Sequence, residues 1–386
     1  MSEIPLSKTT KFIVDNRGRT APTVENGIAL IATNCINNDN LYPVYENLRY
    51  ISQETYDNWF RSHPEPGDII LTLKGSQNGA VCLVPGKVDF VIAQDMVALR
   101  ADENIIDPLF LFAALRFDEV QAQIKNLDVS GVIPHLKKSD FDKLILPYPD
   151  KKSQKSIGRM YYYFSKKIEL LNRQNDTINN LADTCFRQWF IEDSKEQWPS
   201  LPLSKVANFL NGLACQKFPP KNEIDKLPVL KIKELSSGIT ENSDWASTEI
   251  KHEYIVRNGD VIFAWSASLM VKIWDGQDCI LNQHLFKVTS EGYPKWFYYL
   301  WCKHHLAEFI SIAASHATTM GHIKRGDLDE AKVLIPSPEE LAVMTKQAEP
   351  LIQKIIANNI QINTLIKLRN LLLPKLMSGE VTVETT

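Results

Sequence analysis

The sequence predicts an α+β chain: two similar domains, each a twisted β-sheet with helices, joined by two long helices that form an antiparallel coiled coil. Two observations carry that expectation. The stretch PHLKKSDFDKLILPYP, Pro134 to Pro149, returns as GHIKRGDLDEAKVLIPSP, Gly321 to Pro338, with the same order of His, Lys, basic, Asp, apolar and closing prolines. Two segments, Ser153 to Phe190 and Glu339 to Met377, place apolar residues at alternating steps of three and four, the spacing of a helical seam.

The recurrence extends over most of the chain. Pro5-Leu6-Ser7-Lys8 comes back as Pro202-Leu203-Ser204-Lys205, 197 positions on, and Gly67-Asp68-Ile69-Ile70 as Gly259-Asp260-Val261-Ile262, 192 positions on. His135 comes back as His322, 187 positions on, and Lys167, Ile168, Asn172, Gln174, Thr177 and Leu181 recur at that same offset. A shrinking offset is what loops of unequal length produce between two copies of one module. The order is therefore mixed domain 1–149, helical segment 150–192, mixed domain 193–338 and helical segment 339–386. In the mixed domains, short β-rich runs such as DIILTL, AVCLV, DVIFAW and CILNQHLFKV are broken by Gly, Asn and Pro turns.

The seam of the first helix reads Ile168, Leu171, Asn175, Ile178, Ala182, and that of the second Leu351, Ile355, Asn358, Ile362, Leu365. In an antiparallel pair, facing residues have numbers of constant sum, and 533 sets every seam position opposite another, with Asn175 facing Asn358. Either the two amides bond each other and fix the register, or both lie at the seam's edge in water. Pro350 lacks the N–H that a helix interior needs, so the second long helix is expected to begin there, and Gly158 marks a similar weak point in the first. An uninterrupted stretch of about 27 residues would span about 40 Å. That is close to the ~34–36 Å between half-sites one DNA turn apart.

At 386 residues, the chain is too long for one ordinary core, and two domains fit the length. No apolar run reaches the roughly 20 residues of a membrane helix, and MSEIPLSKTTKF lacks the basic-then-apolar layout of a signal peptide. A cytoplasmic protein without membrane contact is expected. Six cysteines form no CxxC, so reduced, buried thiols are expected, and Cys302, His304 and His305 in WCKHHL have no second pair at zinc-ligand spacing. A net charge of -3 argues neither for nucleic acid nor against it, so local clusters decide.

No catalytic motif is present. GAVCLVPGKV has six residues between Gly79 and Gly86 where a P-loop has four, and Val88 stands where its Ser/Thr would hold magnesium; a turn at Pro85-Gly86 explains the stretch better. GxGxxG after a strand, HExxH and GxSxG are absent, as is the Asn/Asp-Pro-Pro-Tyr expected of an amino-directed DNA methyltransferase. Asp150 and Glu169 fall on a helix whose charges are more simply solvated.

Nucleic-acid chemistry is better represented. The loop DNRGRT places Arg17 and Arg19 around Gly18, beside Asn16 and Thr20; Arg can fork onto guanine O6 and N7, and Asn onto adenine. The turn LKGSQNG offers Lys74, Ser76, Gln77 and Asn78 after a predicted strand, and its counterpart WSASLM offers Trp265, Ser266 and Ser268. Different side chains on equivalent turns suit one scaffold reading two sequences. The pairs Lys137-Lys138 and Lys324-Arg325, beside His135 and His322, suit phosphate contacts, or else mark a shared helix start near Asp140 and Asp327. Chemistry and loop position add Ser130, Gln216, Lys217, His316, Thr318 and Thr319 to the candidates. A stand-alone regulator of bipartite DNA sites and an enzyme with an unrecognised site are the rival readings.

DNRGRTAPTVENGIALIATNCI, PGDIILTLKGS, TCFRQWFIED, NQHLF and RNLLLPKLMSGE, in that order within a duplicated frame, resemble the specificity subunit of Type I restriction-modification systems over essentially the whole chain. The resemblance implies two target-recognition domains, each binding one part of a bipartite double-stranded DNA site. It also implies an antiparallel helical spacer that sets the gap. Two methyltransferase subunits would dock on this chain, bringing S-adenosylmethionine to methylate adenine. Restriction subunits, joining through them, would bring the ATP-driven motor and its magnesium. No cofactor is expected in this chain itself.

Overall fold

A computed structural model describes residues 2–16, 18–127, 133–315 and 321–382. The chain divides into two compact units, Met1–Leu170 with Thr364–Thr386, and Leu171–Asn363.

Unit 1 contains β1 (Ser2–Pro5), β2 (Thr10–Asp15), β3 (Ile28–Ile31), β4 (Arg49–Ile51), helix α1 (Gln53–Trp59), β5 (Ile69–Thr72), β6 (Val81–Leu83), β7 (Phe90–Ile92), β8 (Met96–Ala101), α2 (Pro108–Leu115), α3 (Asp118–Asn126), β9 (Ile145–Tyr148) and the first part of α4 (Lys151–Arg187). Its strands form a four-stranded sheet ordered β2-β8-β5-β6, a three-stranded sheet β4-β3-β7 and the pair β1-β9. β5 reads Ile-Ile-Leu-Thr and is buried throughout because both its faces are covered. Ile69 and Leu71 pack with α2, α3 and Tyr161 of α4, while Ile70 packs with Cys82, Ala98 and the β3 and β7 side chains Ile31 and Ile92.

Unit 2 repeats this plan with β10 (Ser200–Pro202), α5 (Leu203–Val206), β11 (Asn208–Asn211), β12 (Lys226–Leu230), α6 (Ile232–Ser237), β13 (Trp245–Ser247), β14 (Ile255–Val256), β15 (Val261–Ala264), β16 (Met270–Ile273), β17 (Cys279–Leu281), β18 (Leu285–Thr289), α7 (Lys295–Ser315), α8 (Arg325–Glu330), β19 (Lys332–Leu334) and most of α9 (Pro338–Ser378). The sheets are β11-β18-β15-β16, β13-β12-β17-β14 and β10-β19, so each unit-1 sheet has a counterpart and β14 is an added edge strand. Even the exceptional parallel pairing recurs: Ile31 lies opposite Ile92, as Leu230 lies opposite Leu281. Val261 and Phe263 face Trp296 and Phe297 of α7, whereas Ile262 and Ala264 face Leu230 and Leu281. The duplication read from the sequence is thus a duplication of topology.

The long helices carry the expected seam. In unit 2, Asn358 donates its amide to Asn175 Oδ1 at 2.8 Å and to Gln174 Oε1 at 2.9 Å, and Asn175 donates to Asn359 Oδ1 at 2.6 Å. Both amides are buried, Asn358 to 1% exposure, which selects the facing arrangement over the wet one. Further along, Trp198 Nε1 donates to Glu340 at 2.7 Å, so numbers rise on one side as they fall on the other, the order of an antiparallel pair. Hydrogen bonds from Lys195 and the Ser337 backbone hold the Glu340 carboxyl well below its usual range, at about 2. In unit 1, Arg369 reaches Ser165 Oγ at 3.3 Å and lies 5.3 Å over the Tyr161 ring.

Two expectations about these helices need correction. α9 begins at Pro338, not at Pro350, and runs through Pro350 to Ser378. Its start is fixed by Ser337, whose hydroxyl accepts from Glu340 N at 3.3 Å while Ser337 N donates to the Glu340 carboxylate at 3.0 Å, with Pro338 at the first helical position. Pro350 is exposed, so the carbonyl its ring leaves without a helical donor is on the solvent side, and Ala348 and Ile352 are buried to either side of it. Gly158 lies inside an unbroken α4. Its hydrogen is required by packing: a Cβ there would sit 2.4 Å from Phe110 N.

The WCKHHL stretch lies on α7. His305 puts Nε2 2.9 Å from the Lys332 carbonyl and Nδ1 3.2 Å from Glu308, a satisfied core histidine. Burial pushes the Cys302 thiol well above its ordinary pKa and the His304 imidazole below its own. Among the described residues no helix is long and apolar enough to cross a membrane.

Candidate nucleic-acid interface

Each unit builds one polar site from three segments, in the same way. In unit 1 the chain leaves β5 through Leu73-Lys74-Gly75, and this turn pairs with the segment around His135: Lys74 and His135 form an isolated antiparallel bridge. Gly75 N donates to Pro134 O at 3.0 Å and Leu136 N to Leu73 O at 2.8 Å. The turn closes on itself through Asn78 N to Gly75 O at 3.0 Å and Gly79 N to Thr72 O at 2.8 Å, while Asn78 Oδ1 accepts from Leu136 N at 3.3 Å. Gly75 holds φ at 91°, a left-handed conformation that glycine adopts without cost. The third segment is the β7–β8 turn, where the Asp95 carbonyl accepts from Leu73 N at 2.8 Å.

Unit 2 gives the same ladder with other side chains. Ser266 and His322 form the bridge, Ala267 N donates to Gly321 O at 2.9 Å and Ile323 N to Trp265 O at 3.1 Å. Ala267 stands where unit 1 has glycine and keeps the left-handed backbone, φ 56°. For a residue with a Cβ this costs about 1–2 kcal/mol, borne because the ladder fixes the turn on both sides. The β17–β18 turn is again the third segment, with the His284 carbonyl accepting from Trp265 N at 3.4 Å. Trp265 stacks on Phe286 with ring centres 5.7 Å apart and donates Nε1 to Asn211 Oδ1 at 3.2 Å; Ser266 Oγ lies 3.2 Å from His284 Nδ1.

The sequence candidates sort accordingly. Lys74, Ser76, Gln77, Asn78, His135 and Lys137 come together in unit 1, and Trp265, Ser266, Ser268, His322 and Lys324 in unit 2. Arg19 and Thr20 are exposed beside the first cluster, where Thr20 Oγ1 accepts from the Gln94 amide at 3.0 Å. Gln216 and Lys217 are exposed on a short helical turn, Cys215–Lys217. Arg17, Ser130, His316, Thr318 and Thr319 lie outside the described residues.

Two candidates are not where a base could meet them. Asn16 is buried at 5% exposure, its amide donating to the Ile92 carbonyl, so it braces the end of β7 instead of facing solvent. Ser266 is buried at 6% and orients His284. For the basic pairs, the shared helix start is real: Lys137 N donates to Asp140 at 3.3 Å, Lys324 N donates to Asp327 at 2.6 Å, and Lys138 pairs with Asp15. Lys137, Lys324 and Arg325 stay exposed, so the helix start and a phosphate contact are compatible. Gln94, Asp95, Asn211, Gln283 and His284 also belong to the two clusters, and in the sequence only Gln283 and His284, within NQHLF, carry a signal.

Among the described residues no three His, Cys, Asp or Glu side chains converge as metal ligands. What the duplicated sites offer is amides, hydroxyls, imidazoles and cations on paired turns, the equipment of a protein built from two similar polymer-reading modules.

Comparison with known proteins gives that class its family. The family pattern described as Type I restriction modification DNA specificity domain matches twice, over residues 23–180 and 195–368, and the chain belongs to that family. It is 25% identical over 300 residues to the Type I restriction enzyme MjaIX specificity subunit of Methanocaldococcus jannaschii, covering 71% of this chain and 69% of that one. To the HindI specificity subunit of Haemophilus influenzae it is 19% identical over 397 residues, covering 82% and 86%. The crystal structure of a Type-I restriction-modification system S subunit from M. genitalium shares the fold, with a TM-score of 0.58 at 15% identity, covering 100% of this chain and 96% of that one.

Proposed function

We propose that this chain is the non-catalytic DNA-specificity subunit of a Type I restriction-modification complex, acting in the cytoplasm. Each unit reads one part of a bipartite double-stranded site, and the paired long helices set the gap between the parts. The observation that carries this reading is the pair of equivalently built turn sites with different side chains: the same ladder places Leu73, Lys74 and Gln77 in one unit where the other has Trp265, Ser266 and Leu269. Lys137, Lys324 and Arg325 hold phosphates and so place the turns over the grooves.

Catalysis belongs to the partners. Tyr163 and Leu371 in unit 1, and Leu181 and Ile360 in unit 2, are apolar side chains that the long helices leave exposed, and they suit the docking of two methyltransferase subunits. Those subunits bring S-adenosylmethionine, and restriction subunits attached through them bring ATP and magnesium. This chain supplies the address and the platform.

The test is reconstitution. The chain is co-purified with its methyltransferase subunits, DNA is methylated in vitro, and the modified adenines are mapped. A bipartite motif, one part of which changes when one unit is exchanged, is expected. A continuous motif, or methylation by this chain alone, would contradict the reading.

A further inference from the structure

We propose that Gln94 and Gln283 are a matched pair of specificity-determining residues, each reading an adenine through its side-chain amide at the equivalent place of its half-site. This rests on the function proposed above and adds to it what the two half-sites have in common.

The two glutamines are topological equivalents. Gln94 lies two residues beyond β7 and two before β8, and Gln283 two beyond β17 and two before β18. Both are half-buried, and each is followed by an exposed residue whose carbonyl receives the N–H of Leu73 or Trp265. Each glutamine is thereby tied to the turn that forms the centre of its site.

Around them the two sites differ. Asp95 is matched by His284, Ala93 by Asn282, Lys74 by Ser266 and Leu73 by Trp265. A glutamine kept for local packing would keep its partner, and these do not. Gln94 donates to Thr20 Oγ1 at 3.0 Å, whereas Gln283 puts Nε2 3.4 Å from the His284 ring, which Ser266 holds from its other side. One side chain serves in two different local settings, so what it has in common lies outside the chain. An amide presents a donor and an acceptor at the spacing of adenine N7 and N6, which is the pairing Gln makes in the major groove. The prediction is an A·T pair shared by both half-sites, flanked by positions that differ.

The experiment uses the complex with its methyltransferase subunits, carrying Q94A, Q94E, Q283A or Q283E, each confirmed folded by its unfolding temperature. Binding is measured on the wild-type site, on sites randomised one base pair at a time, and on sites with 7-deazaadenine, which lacks the N7 acceptor. Q94A should lower discrimination at one A·T pair in one half-site by about 5- to 150-fold. Q283A should do the same in the other half-site. 7-Deazaadenine at that pair should weaken the wild type and leave Q94A unaffected, a coupling that a packing role would not produce. Equal weakening on all DNA, a deazaadenine penalty that persists in Q94A, or relaxation at a G·C pair would overturn the proposal. Absence of any bipartite preference in the wild-type complex would instead remove the function on which it rests.

Discussion

At the turn after β5, Gly75 holds a left-handed backbone, and in the equivalent turn of unit 2 Ala267 holds it with a Cβ. That conformation projects the next residues, Ser76 with Gln77 and Ser268, outward from strands that are themselves fully buried. Contacts to bases and to phosphates should therefore separate by mutation. Arg19→Ala removes an exposed fork and should relax specificity in one half-site by roughly 1–3 kcal/mol, read by binding to single-position variants of the site. Lys137→Ala and Lys324→Ala should weaken specific and non-specific DNA alike, each lowering the slope of log K against log salt by about 1. If Arg19→Ala behaves like the lysines, it touches phosphate. The sequence could place these residues on loops, because Gly, Asn and Asp punctuate the strands locally. It could not show that Asn16 turns inward, since its amide finds a carbonyl 76 residues away, at the end of β7. The sequence does not mark Gln94 and Gln283 for a related reason: each is an ordinary turn residue until the neighbouring strand ends are placed beside it.

The long helices show what periodicity can and cannot carry. Steps of three and four, a constant sum of residue numbers and two polar interruptions in register were enough to set Asn175 opposite Asn358, while the choice between a buried amide pair and a wet edge came from the structure. Replacing Asn358 alone by Leu leaves the buried Asn175 Oδ1 without its donor and should cost roughly 1–3 kcal/mol. The double Leu replacement should recover most of that loss while loosening the register, so thermal unfolding of the singles and the double gives a measurable coupling. Helix ends were less legible, because a proline's effect depends on whether its neighbours are already packed. Pro350 passes within α9 because residues on either side of it are in the core. Gly158 is the opposite case, where a residue that weakens a helix in isolation is required by its neighbour. Gly158→Ala gains about 1 kcal/mol of helix propensity but forces a Cβ to 2.4 Å from Phe110 N, where overpacking costs roughly 1–3 kcal/mol or more. A net loss of unfolding temperature is expected; a gain would mean that α2 yields freely.

For the chain as a whole, the recurrence of short strings foretold two similar sheet-bearing domains, and the structure adds that even the parallel strand pair recurs in each unit. Strand order itself was not legible, since pairing partners lie tens of residues apart and nothing local specifies them. The proposed function is legible through the duplication: two alike scaffolds with unlike turns are suited to reading two unlike sequences. Lengthening the proposed helical spacer is the most direct test. One heptad inserted into both α4 and α9, in seam register, adds about 10.5 Å to the helical pair, close to the rise of three base pairs. Mapping the sites methylated by the reconstituted complex should then return the same two half-site sequences with a gap longer by about three base pairs. An unchanged gap, with folding and complex formation intact, would contradict a helical pair that sets it.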